Sequence, residues 1–315
     1  MRLNPHVYER LEQANTLEFS FTGTGLNFLA GLSLHDIDTD LISALPDNRL
    51  GDVSKSRIKM HGVGTKNIHQ VGNHIGSYII ELGYGVRPSQ VTYLNRAHSS
   101  FNTYILSDND IESCVLNLDV LHICGIALST SEVSMSNACK LVAKAHEHNK
   151  QIIFDFNFRP SLNETMTMDR LKEAYEYILK HSHTVFGSMR DVSRFMDCQK
   201  DEDIHQFMNE YGIEVFAGSV KSSNDGQNYL QGKLYTQNKT YTSSKLIIQT
   251  LDRIGTGDAF ASSLVASLLK GKDPQWSVEY ASVASQLAFT TMGDVPLLSE
   301  KFILEHMDDP KDVIR

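Results

Sequence analysis

Apolar and polar positions along this chain fall into two regimes. From about residue 115 onward, short apolar runs alternate with stretches of helical spacing. Val115–Cys124 reads as a strand. Ser129-Thr130-Ser131-Glu132 is a capping-box pattern ahead of a helix with apolar or small positions at Val133, Ala138, Leu141, Val142 and Ala145. Gln151–Phe154 is the next predicted strand, Leu171–Lys180 a helix, Thr184–Phe186 a strand, Ile204–Tyr211 a helix and Ile213–Phe216 a strand. Such β-α-β-α alternation predicts a parallel sheet with helices on both faces. The first third differs. Phe19–Thr22, Gly76–Glu81 and Val91–Leu94 read as strands without intervening helices, which predicts a small antiparallel sheet or lid.

The unusual polar segments follow directly after the predicted core strands. Asp155-Phe156-Asn157-Phe158-Arg159-Pro160 follows one, Gly187-Ser188 another and Ala217-Gly218-Ser219 a third. Asp252-Arg253-Ile254-Gly255-Thr256-Gly257-Asp258 lies beyond the β-rich stretch Ser243–Leu251. In open parallel sheets ligands bind at the carboxyl edge of the strands, so all four segments are expected to face one cleft.

Gly255 and Gly257 permit a close backbone approach, and Phe260, Leu264 and Leu268 behind them have the spacing of a helix face. Glycine-rich backbone leading into a helix N-terminus makes an anion site. A carboxylate beside it, Asp258, suits phosphoryl transfer, taking a proton from an attacking hydroxyl. A glycine turn with Asp258 as a helix cap has the same spacing. Asp155, Asn157 and Arg159 alternate and would share one side of an extended segment. There Arg159 could hold a carboxylate in bidentate fashion, or simply pair at a strand end.

Composition narrows the class. With 315 residues the chain can form one large α/β domain or two smaller ones. A net charge of 29 − 38 = −9 argues against a general nucleic-acid surface, which needs a basic stripe. The four cysteines show no C-x-x-C spacing and read as reduced thiols of a cytoplasmic protein. No run approaches the ~18 uncharged apolar residues of a membrane span. There is no Walker P-loop and no G-x-G-x-x-G. Gly62-Val63-Gly64-Thr65-Lys66 lacks the spacing of either and reads as a loop.

At these residues the chain resembles the PfkB/ribokinase family of carbohydrate kinases. Gly255-Thr256-Gly257-Asp258-Ala259-Phe260 looks like its C-terminal signature. Asp155-Phe156-Asn157-Phe158-Arg159-Pro160-Ser161-Leu162 is similar to the stretch typical of its 2-keto-3-deoxygluconate kinases. Thr22-Gly23-Thr24-Gly25-Leu26-Asn27 resembles the N-terminal substrate loop, and Leu50-Gly51-Asp52 and Gly62-Val63 match usual landmarks. Ile75-Gly76-Ser77-Tyr78 resembles the segment that places a substrate tyrosine. Gly293-Asp294-Val295-Pro296 resembles the pair closing the sugar site.

The resemblance implies a ribokinase-like, Rossmann-type α/β fold over residues 1–315. It would have a mostly parallel core sheet of about nine strands and a small β lid over about 6–22 and 66–102 that closes to exclude water. It implies ATP, Mg2+ and a sugar acid as ligands, with 2-keto-3-deoxygluconate leading. A neutral ketose, another deoxy-keto acid, or a non-catalytic sensor on the same fold are the alternatives. Self-association stays open.

Carried over, Asp258 is the base and Gly255, Thr256 and Gly257 form the anion hole. Gly23, Asn27, Tyr78, Tyr93, Arg96, Arg159 and Asp294 contact the sugar. Ser188, Gly218, Ser219, Gly255 and Gly257 contact the nucleotide, and Asp191 the metal. Four positions depart from the family pattern. Gly25 stands where a glutamate is expected, and Ser188-Met189-Arg190-Asp191 replaces Asn-x-x-Glu. Ala217 precedes Gly218 in place of a basic residue, and the arginine near Tyr93 aligns with either Asn95 or Arg96. Finally, Met1-Arg2-Leu3 looks like the end of the family's first core strand and its acidic loop, with the strand itself missing. Met1 is then expected to be internal to a longer chain, or another segment to fill the gap.

Overall fold

The computed structural model describes residues 1–159, 162–163 and 166–308. Pro160 and Ser161 of the motif above lie outside the described residues. The strands, in chain order, are β1 (Arg2–Asn4), β2 (Glu18–Ser20), β3 (Ser43–Leu45), β4 (Ile68–Gln70), β5 (Ser77–Glu81), β6 (Gln90–Leu94), β7 (Val120–Cys124), β8 (Gln151–Asp155), β9 (Thr184–Phe186), β10 (Val215–Asn224), β11 (Gln227–Thr236), β12 (Thr240–Thr242) and β13 (Leu246–Ile248).

The main sheet has seven strands in the order β12-β11-β10-β9-β8-β7, with β13 also on β11. Strands β7 to β10 are parallel, and β10 to β13 join antiparallel. Alternation along the strands sends residues to two separate cores. Ile152, Phe154, Val185 and Phe216 face one, packed by the helices Glu132–Glu147, Met168–Leu179 and Asp201–Tyr211. Ile153, Phe186 and Ala217 face the other, packed by Thr24–Ser33, Thr256–Leu269 and Pro274–Ala288. Period-2 strands sandwiched by helices are what the sequence pattern predicts.

The observed boundaries differ in places. Val115 ends a helix, Asp108–Leu116, and the strand begins only at Val120. The helix Glu132–Glu147 is capped by Ser131, whose side chain accepts from the Ser134 amide, rather than by Ser129. Ala217–Ser219 do not follow a strand. They lie inside β10, which runs on into a hairpin with β11. Asp225 and Gly226 turn that hairpin with positive φ, the Asp-Gly signature of a tight β-turn.

The lid is a four-stranded sheet, β2-β1-β5-β6. It is mixed rather than antiparallel, because β1 and β5 run parallel. Arg2–Asn4 is therefore a lid strand and not the end of a core strand. Ile68–Gln70 pairs with β3 in a separate two-stranded parallel sheet, outside the lid sheet. Gly62–Lys66 is a loop after the helix Arg49–Met60, as expected.

The core differs from the expected nine-stranded sheet in one further way. Among the described residues β7 pairs only with β8, and β3 only with β4. Both free edges border one cavity of about 910 Å³, which is lined by every residue of Asp40–Leu45 and of Leu118–Cys124. Consecutive strand residues point to opposite faces, so a lining of consecutive residues places the cavity along the backbone edges. Two residues of the lining, His122 and Thr39, carry buried polar atoms with no protein partner.

Candidate active site

The site begins with one glycine. Gly255 takes φ +79°, a left-handed conformation. A β-carbon there would lie 2.0 Å from the carbonyl oxygen of Asp294. This turn starts the helix Thr256–Leu269 with no side-chain cap, and the first helical bond runs from the Ala259 amide to the Gly255 carbonyl. The amides of Thr256, Gly257 and Asp258 are thus available to a ligand at the positive end of the helix dipole. Nothing crowds the Cβ position of Gly257, so its face is open.

Asp258 sits in that first turn, 8% exposed. Its Oδ2 accepts from Asn27 Nδ2 at 2.7 Å. Desolvation by burial raises its carboxyl well above the ordinary range. Asn27 opposes this, the charges of Asp155 and Asp294 add to it, and Arg159 opposes it. A carboxylate with raised proton affinity beside a bank of free amides can accept a hydroxyl proton while the amides hold an anion. Asn27 is held in turn, since Thr22 Oγ1 lies 3.0 Å from its Oδ1 and 2.8 Å from Asp294 Oδ2. Thr22 thus stands between Asp294 and Asn27, its one hydroxyl proton serving either acceptor, and Asn27 holds Asp258.

The structure gathers most of the expected sugar residues. Tyr78 and Tyr93 are cross-strand partners on β5 and β6, with ring centroids 6.4 Å apart. The Arg96 guanidinium lies over the Tyr93 ring at 5.2 Å, and burial lowers its pKa. The Tyr78 hydroxyl donates to Asp294 Oδ2, and burial together with that carboxylate raises its pKa. Gly23 lies in extended backbone ahead of the helix Thr24–Ser33, with open space at its Cβ position. Gly25 likewise meets only Leu41, at 3.8 Å.

Arg159 departs from expectation. β8 ends at Asp155 and Asn157 has φ +31°, so the segment is not extended and the three side chains do not alternate on one side. Asn157 instead donates to Cys124 Sγ, and exposed Arg159 donates to the Phe158 carbonyl at 3.1 Å.

Among the residues expected at the nucleotide, a β-carbon at Gly218 would lie 2.0 Å from the Gly187 carbonyl, so the chain after β9 touches β10 backbone to backbone there. Ser219 follows on β10, half-buried. Asp191 Oδ2 accepts from the Ser188 amide at 2.9 Å and its hydroxyl at 2.6 Å, which makes it the capping-box partner of Ser188, the N-cap of the short helix Met189–Val192. Among the described residues no three His, Cys, Asp or Glu side chains are gathered to hold a metal. Mg2+ needs only one or two carboxylates when phosphates and water complete its shell. Asp191 and Asp155, close enough for their charges to interact, fit an ion carried in with a nucleotide.

The sequence reading assigned no role to Arg2 or Asp252, which lie against this site. Arg2 Nη2 donates to Asp252 Oδ2 at 2.8 Å and Nη1 donates to Asp294 Oδ1. The available signal was an arginine at the head of a short β pattern, a position that ordinarily reads as solvent-facing.

A doubly wound sheet, an uncapped glycine-led helix and a buried carboxylate beside it define a phosphoryl-transfer enzyme of the α/β class. The chain belongs to the pfkB family of carbohydrate kinases, whose sequence pattern matches residues 1–301. Among solved structures it is similar to a protein of Enterococcus faecalis provisionally assigned as a 2-keto-3-deoxygluconate kinase, with 40% identity and a TM-score of 0.94 over 100% of this chain and 96% of that one. The 2-dehydro-3-deoxygluconokinase of Thermotoga maritima is 25% identical with a TM-score of 0.87, over 96% and 94% of the two chains. A 2-dehydro-3-deoxygalactonokinase of Haloferax volcanii is 25% identical over 301 residues, 95% of this chain and 91% of its own. Among the described residues no helix is long and apolar enough to cross a membrane.

Proposed function

We propose that this protein, read as one kinase domain with a β lid, transfers the γ-phosphoryl group of ATP to a hydroxyl of a six-carbon deoxy-keto sugar acid. The leading substrate is 2-keto-3-deoxygluconate. The observation that carries the reading is the pairing of a buried, Asn27-held Asp258 with the free amides of the Gly255 turn.

The sugar lies between Tyr78, Tyr93 and Arg96 of the lid and the helix Thr24–Ser33, with Arg96 or exposed Arg159 available to its carboxylate. Its reacting hydroxyl points at Asp258, which takes the proton as the oxygen attacks. The amides of Thr256 and Gly257 stabilise the charge on the moving phosphoryl group. Mg2+, bound with the nucleotide, supplies charge neutralisation at the phosphate oxygens. The lid excludes water, so that the hydroxyl and not solvent is phosphorylated. With ATP as donor, the reaction is read as cytoplasmic.

The 2-keto-3-deoxygalactonate epimer is the second reading, favoured by the name of the Haloferax relative. An ATP-consumption assay against both epimers, other deoxy-keto acids and neutral ketoses decides. Turnover of a deoxy-keto acid at least about tenfold above every neutral ketose, a preference of roughly 1.4 kcal/mol, is expected. Equal turnover of a neutral ketose contradicts the acid assignment, and ATP binding without turnover of any sugar supports a sensor.

A further inference from the structure

Arg2 is 1% exposed and stands where three segments meet. It comes from lid strand β1. One arm of its fork reaches Asp252, at the head of the phosphate loop, and the other reaches Asp294. Both carboxylates are also held by other donors. Asp252 Oδ1 accepts from the Ile254 amide at 3.0 Å, and Oδ2 from the Gly293 amide at 3.3 Å. Asp294 Oδ2 accepts from Thr22 and Tyr78. The backbone of Asp294 is the surface on which Gly255 turns. One cation thus fixes the loop that forms the anion hole, the loop that supports it and the lid strand above.

We propose that Arg2 is a positioning residue for phosphoryl transfer, a buried guanidinium that ties the lid sheet to the phosphate loop and neutralises the Asp294 carboxylate, which shares Thr22 with the Asn27 that holds Asp258. The inference rests on the reading of Asp258 as the base. Buried ion pairs contribute little net stability against an apolar replacement of similar volume, and their best-attested use is to specify geometry. The planar fork of arginine suits two carboxylates at once, and lysine offers only a point charge.

The charge environment makes the role measurable. Asp258 is faced by Asn27 from the helix Thr24–Ser33, by Asp155 and Arg159 from the end of β8 and beyond, and by Asp294. Asp294 is faced by Arg2, Thr22 and Tyr78, with the Met1 amine and Arg96 close by. Removing Arg2 leaves Asp294 an uncompensated like charge near Asp258, so Asp258 should hold its proton to higher pH.

The test compares wild type, Arg2→Met, Arg2→Lys and Arg2→Met/Asp294→Asn. Asp258 is titrated by carboxyl carbon NMR, assigned through Asp258→Asn, and the acid limb of kcat/KM is followed where turnover is present. In Arg2→Met the Asp258 midpoint and the acid limb should both move up by roughly one pH unit, the scale of a like-charge effect. The double variant should bring them back, and Arg2→Lys should lie between. A merely structural role would lower kcat at every pH and leave the midpoint in place, and an unmoved midpoint in folded Arg2→Met overturns the proposal. Should Arg2→Met fail to fold, the uncharged Arg2→Gln carries the same comparison, and a wild-type midpoint there overturns it. The titration does not need a substrate, so an inactive wild type would refute the kinase reading without deciding the role of Arg2.

Discussion

Burial pushes the carboxyl of Asp155 up to about 7, with Arg159 opposing and the charge of Asp191 adding. An unfolded aspartate titrates near ~3.9, so the folded chain binds this proton more tightly. The stability this group contributes is therefore full below the unfolded value and lost as pH rises through about 7. Asp155→Asn, which cannot ionise, should melt close to wild type near about pH 4 and above it near about pH 8. Melting curves that stay parallel across that range would contradict the assignment. At this scale the sequence placed Asp258 at a glycine-led helix start, where the structure has it. It hid Arg2, whose partners lie some 250 and 292 positions away, and it missed the bend ahead of Arg159, because nothing local announces the left-handed turn at Asn157.

The element that matters most is the helix Thr256–Leu269, buried along nearly its whole first three turns. Its small residues allow that burial, and its start is set by Gly255. Gly255→Ala should cost more than the ~1–2 kcal/mol of a left-handed alanine, because its methyl also meets the Asp294 backbone. The expected outcome is a lower melting temperature and a kcat reduced at least about tenfold through displaced amides. A variant with wild-type kcat would show that the turn does not shape the anion hole. Elements with clean periodicity, such as β9, matched their predicted spans. The run Val115–Cys124 did not, because the break at Asn117-Leu118-Asp119 carries neither glycine nor proline. β10 outran its predicted end because its extension is stabilised by pairing with β11, a contact that single-strand pattern does not register.

At the scale of the whole molecule, two strand edges border one cavity, with no strand between them among the described residues. Edge amides and carbonyls without partners in a dry space cost on the order of 1–3 kcal/mol each. Met1 lines the same cavity, and its amine donates to the Gly76 carbonyl at 2.7 Å and is pushed down to about 5, first by burial and then by the charge of Arg96. An apolar, β-prone segment of about seven residues, sized to the edge of β7 at ~3.3 Å per residue and joined ahead of Met1, should therefore raise the melting temperature. It would pair with both edges and replace a buried amine by a peptide bond. An extended chain that melts at or below the temperature of the present one would contradict the strand-shaped reading of the cavity. Much of this architecture was legible, since alternation of runs announced the parallel sheet and its two helical faces. The gap was legible only through resemblance to a family, because a strand edge is defined by its neighbours and not by its own residues.

Phosphoryl transfer from labelled ATP to 2-keto-3-deoxygluconate, measured side by side for wild type and Asp258→Asn with nucleotide binding followed in parallel, tests the central claim most directly. The wild type should turn over and the variant should fall by ~10²–10⁴ in kcat, the usual weight of a general base, with nucleotide affinity kept. A variant that retains more than about half of the wild-type kcat would show that Asp258 is not the base.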